Sequence, residues 1–401
     1  MSITAVLPAA ALLAGFLWLP GLAIARAAGL RGLALWSLAP HVTLTVLTTL
    51  CVLAPMAGLS WSWVSLAVST VVFASASWGV RAVVMRRRGS TGHRDGADTA
   101  RPPGQARRRP DPTPLLATLL GAGLVLAASV PGMGRVDAVP QSPDMSFHVN
   151  TIRWMVDHGD FSALHALNAT PATTGGFYPT GFHDWVATTL TLVHVPVLTA
   201  TNLAALVIAS LLWPAGCVLL VRQVLGGTRL QLLVAGVLSA SFVAFPYYLM
   251  SWGVLWPNEL GLALVPGVLA LVASLLGLGA RELMPRLPAA VLLLATLPGL
   301  TVAHPNALVT AGGFVVCMVV GWVVRAFQRT TSPARWWLLV AGGATLVAIG
   351  AITVLLPKVS TTFRLTFHYP SKPFESAVAA TTDMVLNNPR GFTALWGLSA
   401  L

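Results

Sequence analysis

Residues 201–221 read TNLAALVIASLLWPAGCVLLV, an uncharged run that Arg222 ends. A helix of about 20 such residues crosses the ~30 Å hydrocarbon core of a bilayer. The apolar positions do not alternate with period two as barrel strands would, so the run reads as a transmembrane helix. Working outward, similar stretches lie near 4–25, 33–56, 61–85, 114–134, 230–250, 260–280, 287–303, 308–325 and 336–356, ten spans in all. Apolar residues make up 56% of the chain, charged residues 9%, and mean hydropathy is +0.77, outside the range of soluble domains. The expected fold is all-α: a polytopic transmembrane bundle in a lipid bilayer.

The net charge of +12 does not point to nucleic acid, because nine arginines lie between Arg81 and Arg109 in a stretch rich in Gly, Pro, Asp and Thr. That stretch, 86–113, is expected to be a disordered cytoplasmic loop carrying the positive-inside signal, with contact to anionic lipid as its other use. It separates the N-terminal helices, 1–85, from a transmembrane core, 114–356, which a final outer loop and the start of another span, 357–401, follow. The ending of the chain, Gly391 to Trp396 and beyond, has the look of a truncation. Cys51, Cys217 and Cys317 fall inside apolar runs with no CxxC spacing, which indicates neither disulfides nor a metal site.

Arginine placement orients the spans: Arg26, Arg31, Arg222, Arg229, Arg281, Arg286, Arg325, Arg329 and Arg335 are expected at the cytoplasmic face of a plasma membrane, and loop 135–183 outside it. With 135–183 outside and Arg222 inside, 184–221 must cross an odd number of times. Residues 184–195 are therefore expected as a short interfacial or re-entrant helix that breaks near His194-Val195-Pro196, before one full span.

Between Arg135 and Asp184 lie four of the nine histidines and five of the twelve acidic residues. Ser142-Pro143-Asp144 has the order of a helix start, with an N-cap, proline at the first position and an acid in the first turn, and Gly159 can end it. Met145, Val149, Ile152 and Val156 give this helix an apolar stripe suited to the membrane surface or the ends of the spans. Asp144 and His148, four apart, point from one side and can bond each other or one substrate. A helix-dipole partner and a wet interfacial side chain are the plainer alternatives. Asp157, His158 and Asp160 read as solvated charges or the cap of a short helix at 161–167.

Gly175-Gly176-Phe177-Tyr178-Pro179-Thr180-Gly181-Phe182-His183-Asp184 joins glycines, aromatics and an imidazole–carboxylate pair directly before the chain re-enters lipid. Such a segment can line a pocket for a sugar or polar headgroup, although Phe177 and Phe182 also suit an interfacial anchor. Asn258, Glu259 and His304-Pro305-Asn306 sit at span ends on the same side. An acid at the position of Glu259 is a functional candidate by its cost in lipid, or else a helix cap. His41 reads as a satisfied packing histidine.

An acid on an amphipathic helix in the first large outer loop, then Tyr-Pro-x-Gly-x-His at the next helix, resembles the GT-C class of membrane glycosyltransferases. Protein O-mannosyltransferases and actinobacterial arabinofuranosyltransferases belong to it. The resemblance implies transfer, outside the cytoplasm and with inversion, of a sugar from a polyprenyl-phosphate donor to a hydroxyl of a cell-envelope glycan or protein. Asp144 then matches the first-loop general base with His148 beside it. Tyr178, Pro179 and His183 match the region that shapes the donor pocket; Asp184, Asn258, Glu259 and His304 are candidates around the same site from their own residue types and positions. Arg153, Arg364, His368, Tyr369 and Lys372 are the groups that could meet the donor phosphate, with a divalent cation as an alternative. The resemblance covers about 115–260; three extra spans precede the catalytic loop, and the paired acids of several families are reduced to Asp144. Over most of its length the chain also resembles large uncharacterised membrane proteins of actinobacteria. A transporter with broken helices at Pro196, Pro257 and Pro305, or a non-catalytic scaffold, are the competing readings.

Overall fold

A computed structural model describes residues 3–91, 111–140, 142–170, 176–251, 254–280, 284–329 and 334–359, with 364 and 378. Among the described residues every regular element is helical. α1 (Ile3–Ala28), α2 (Gly32–Met56), α3 (Trp63–Thr91) and α4 (Thr113–Met133) come first. α5 (Pro143–His158) and α6 (Gly181–Leu190) are short. One span then runs from α7 (Val197–Val207) through a π-turn (Ile208–Leu212) into α8 (Trp213–Leu225). α9 (Arg229–Ser239), a second π-turn (Val243–Tyr248), α10 (Leu249–Ser251), α11 (Trp256–Leu276), α12 (Arg286–Ala303), α13 (Pro305–Arg329) and α14 (Ala334–Val359) complete the order.

Nine helices among the described residues are long and apolar enough to cross a membrane. The tenth expected stretch, 336–356, is helical within α14, but its apolar part among the described residues, Leu339–Ile352, is shorter. α3 continues to Thr91, six residues into the stretch expected as loop; residues 92–110 lie outside the described residues. The expected break before Arg222 is present: α6 ends at Leu190, Pro196 caps α7, and one span of 29 residues follows. The stretch 230–250 differs from expectation, since it is interrupted between α9 and the second π-turn. Phe245 is extended (φ −146°, ψ 129°) and Pro246 supplies no N–H, so the ladder cannot pass; the Tyr247 hydroxyl donates to the freed Ala240 carbonyl at 2.7 Å.

α11 is the centre of the bundle, with 83% of its apolar window buried, whereas 6% of that of α3 is buried and the rest faces outward. In lipid a buried helix gains from close packing rather than from escaping water, so small residues mark the tight crossings. Gly236 of α9 meets the backbone of Ala117 in α4, where a Cβ would strike the carbonyl, and Gly299 of α12 packs as closely on Thr45 of α2, where a Cβ would strike the hydroxyl and the backbone nitrogen. A single large side chain at either crossing would push two helices apart.

Candidate functional site

α5 is built as its sequence dictates. Ser142 is the extended N-cap, Pro143 opens the helix, Asp144 lies in the first turn, and Gly159 closes it in the left-handed region (φ 64°) with its N–H on the Met155 carbonyl at 2.9 Å. Its buried face is His148, Thr151, Ile152 and Met155, so the stripe of Met145, Val149, Ile152 and Val156 is rotated from expectation: of those four only Ile152 is sealed. The reason is α6, against which this face packs. The far end is pinned by Trp61, whose N–H donates to the Gly159 carbonyl at 2.9 Å and whose indole donates to Thr188 of α6 at 3.0 Å.

α6 is buried at every residue, which no stretch of the sequence advertised. Phe182 is therefore no interfacial anchor; it stacks on Trp256 with ring centroids 5.7 Å apart. His183 and His148 lie 3.0 Å apart, His148 Nδ1 to His183 Nε2, one imidazole donating and the other accepting. His148 thus pairs with His183 rather than with Asp144. Burial holds His148 down to about 4, helped by nearby His304 and opposed by the Val254 backbone. Burial pushes His183 well below the ordinary imidazole range as well, so the pair is neutral at pH 7. Asp184 points elsewhere: its Oδ2 accepts the Thr180 hydroxyl at 3.1 Å, Oδ1 has no partner, and burial raises its pKa well above the carboxylate range.

A cavity of about 370 Å³ opens where α5, the 176–180 segment, the start of α11 and the α12–α13 junction meet. Asp144, His148, Tyr178, Asn258 and His304 all line it. These five, spread over 160 positions, are the sequence candidates that the fold brings together. Phe147, Leu167, Leu255 and Pro257 supply apolar wall. Phe147 went unrecognised because an aromatic on an amphipathic helix carries no signal of which cavity it faces; its ring meets Tyr178 edge-on at 4.7 Å.

The polar groups differ in wetness, and that decides what each can do. Asp144 is exposed at the mouth. The Tyr178 hydroxyl is held well above its ordinary pKa by burial and then by the Asp144 carboxylate, so it remains a donor. His304 Nδ1 accepts the Asn306 N–H at 3.2 Å, and burial lowers His304 to about 4. A neutral His304 then carries its proton on Nε2. Asn306 also donates to Asn258 Oδ1 at 3.4 Å, which leaves the Asn258 amide N–H groups to donate. The cavity wall therefore offers one carboxylate acceptor among neutral donors.

Other candidates are elsewhere. Arg153 pairs with Asp157 at 2.7 Å on the exposed face of α5, away from His148. Its five-residue offset puts it well round the helix, the reason it misses the cavity. Glu259 and Asp184 are fully buried and are not among the cavity's lining residues; neither oxygen of Glu259 has a hydrogen-bond partner. Asp160 binds His165 at 2.7 Å and His158 stacks on Trp154, both structural roles. Arg364 is exposed. His368, Tyr369 and Lys372 lie outside the described residues. Among the described residues no three His, Cys, Asp or Glu side chains converge as metal ligands.

Fold and site define a polytopic helical membrane protein with a polar cavity at one end of its bundle. The chain belongs to a family of unknown function, DUF6541, whose profile matches residues 14–401. No curated protein and no solved structure matches it.

Proposed function

We propose that the protein is a membrane glycosyltransferase of GT-C type. It moves a sugar from a polyprenyl-phosphate donor to a hydroxyl acceptor on the extracytoplasmic side of the plasma membrane, with Asp144 as general base. The observation that carries this reading is the meeting of Asp144, Tyr178, Asn258 and His304 in one cavity at a bundle end, with an exposed carboxylate among neutral donors. Asp144 takes the acceptor hydroxyl proton as the new O–C1 bond forms and the bond from C1 to the phosphate oxygen breaks, the phosphate leaving with the electron pair. Asn258, His304 and Tyr178 bind sugar hydroxyls, and Phe147 gives an apolar face to the ring.

An apolar cleft of about 450 Å³ between α1, α4 and α7, with Arg135 at its edge, suits the isoprenoid chain. Arg364, His368, Tyr369 and Lys372 are the cationic and polar groups this reading assigns to the leaving phosphate.

The test is transfer of radiolabelled sugar from polyprenyl-phosphate donors by the full chain in lipid, native against Asp144→Asn and His148→Ala. Turnover that disappears in Asp144→Asn while donor binding persists supports the assignment. Turnover indifferent to Asp144, or none with any donor, overturns it. Glu259, sealed in α11 without a partner, favours the rival reading of a transporter. Substrate flux across proteoliposomes that Glu259→Gln abolishes would bring that reading forward.

A further inference from the structure

His183 is fully buried on α6 and is not among the residues lining the cavity. It holds one that is, because its Nε2 lies 3.0 Å from His148 Nδ1. A neutral imidazole can bond through both ring nitrogens, one donating and one accepting. With Nδ1 taken by His183, Nε2 is the nitrogen left for the Val254 backbone, which also hydrogen-bonds His148. The ring is thus gripped from two elements, α6 on one side and the segment before α11 on the other.

The Val254 side of the grip is strained. Val254 is sealed and has φ 53°, a left-handed conformation that a β-branched residue adopts only against steric opposition. Among the described residues no other non-glycine has a positive φ. Strain of this kind persists where the surroundings over-determine it, and it gathers at functional sites. Here Leu255, Pro257 and Asn258, which follow directly, line the cavity, and α11 is the buried centre of the bundle.

α5 needs an anchor at just this point. Among its described residues His148 is the first that is buried; Thr151, Ile152 and Met155 come later, and Trp61 pins the far end. Asp144 lies one turn before His148 on the same side of the helix, exposed and, among the described residues, with no hydrogen bond or ion pair of its own. Its place at the cavity mouth therefore follows the first turn of α5, and that turn follows His148.

We propose that His183 is a positioning residue: it holds His148, with Val254 on the ring's other nitrogen, so that the first turn of α5 keeps Asp144 at the mouth of the cavity. The use of Asp144 as a base rests on the glycosyltransferase reading; the anchoring of Asp144 does not.

Amide hydrogen exchange of the full chain in lipid nanodiscs reads the anchoring directly, because the amides of Phe147, His148 and Val149 bond to carbonyls of the first turn. His183→Phe keeps an aromatic ring on α6 but removes the bond, whereas His183→Gln sets an amide where Nε2 stands. Exchange at 147–149 is expected to rise about tenfold in His183→Phe and to return to the native rate in His183→Gln. Residues 155–158 stay native in both, since Trp61 holds that end. With a polyprenyl-phosphate sugar donor, kcat of His183→Phe falls about 10²-fold, as when a reacting group is misplaced by ~1 Å, while donor KM stays within about twofold. His183→Gln restores kcat; a histidine with a structural role alone would lower thermal stability without this split. Should His183→Phe not fold, His148→Phe removes the same bond from the α5 side and is read by exchange alone. Native exchange in the variants that lack the bond, opening of His183→Gln like that of His183→Phe, or opening that leaves kcat untouched overturns the proposal. A native chain without turnover, in which exchange still responds as expected, sinks the reaction and leaves the anchoring standing.

Discussion

α5 and α6 each carry an acid in the first turn and a histidine beside it, yet the fold treats them oppositely. On α5, Asp144 stands exposed at the cavity mouth and His148 turns inward. On α6 both His183 and Asp184 are sealed, and Asp184 keeps one oxygen bonded to Thr180 and one unpartnered. A carboxyl at a cavity mouth is within reach of a substrate proton; a carboxyl sealed among helices is driven towards its neutral form. The same residue types thus face the cavity on one helix and form interior polar structure on the other.

The strongest break of this contrast is at Asp144. Asp144→Asn should lower the transfer rate by about 10²–10⁴-fold, the usual share of a positioned general base, while thermal stability moves by no more than about 0.5 kcal/mol because the side chain is exposed. Initial-rate measurements beside thermal melts in nanodiscs check both halves.

On α6 the effects should appear in stability instead. Thr180→Val strips Asp184 of its bonded partner and should destabilise by about 1–3 kcal/mol, read from denaturation in mixed micelles. Asp184→Asn should act in the opposite direction at neutral pH. The unfolded chain loses this proton near 3.8 while the folded chain retains it, so native stability falls as pH rises above 3.8. The asparagine variant escapes that loss: it should be the more stable at pH 7, with the advantage vanishing near pH 3.8.

The shared imidazole pair gives a slope of the other sign. In the unfolded chain His148 takes its proton near 6.5, in the folded chain near 4, so the native protein should lose stability on acidification from pH 6.5 towards 4. His148→Gln should flatten part of that slope in a pH series of melting midpoints. The smallest effect should come from Arg153→Ala, which removes an exposed i,i+4 pair with Asp157 worth about 0.3–0.5 kcal/mol and should leave turnover intact.

Much of α5 was legible because its signals are local. N-cap, proline, acid and terminal glycine act within one turn of the backbone they stabilise, and the helix starts and stops at the expected residues. The short helix before Pro196 was legible from charge parity and a proline. The break at Phe245-Pro246 was not, since an apolar run looks the same whether its helix is continuous or interrupted, and the extension of α3 to Thr91 was not, since Arg86 to Thr91 carry the charges and glycine of a loop. Nor was the rotation of α5 legible: Val149 and His148 are neighbours, and hydrophobicity alone favours burying the valine. Packing against α6 buries the histidine, because His183 waits there to bond it.

Sequence by itself determined that this chain is a bundle of membrane helices, because apolar length and charge scarcity are sums over residues that no partner can alter. It also marked Asp144, His148, Tyr178, Asn258 and His304 as candidates by residue type and position. Only the tertiary structure decided that these five share a cavity, that Arg153 turns away from it, and that Asp184 and Glu259 are sealed. Those outcomes depend on which faces of α5, α6, α11 and α12 meet, and helix rotation is set by close packing between partners distant in sequence.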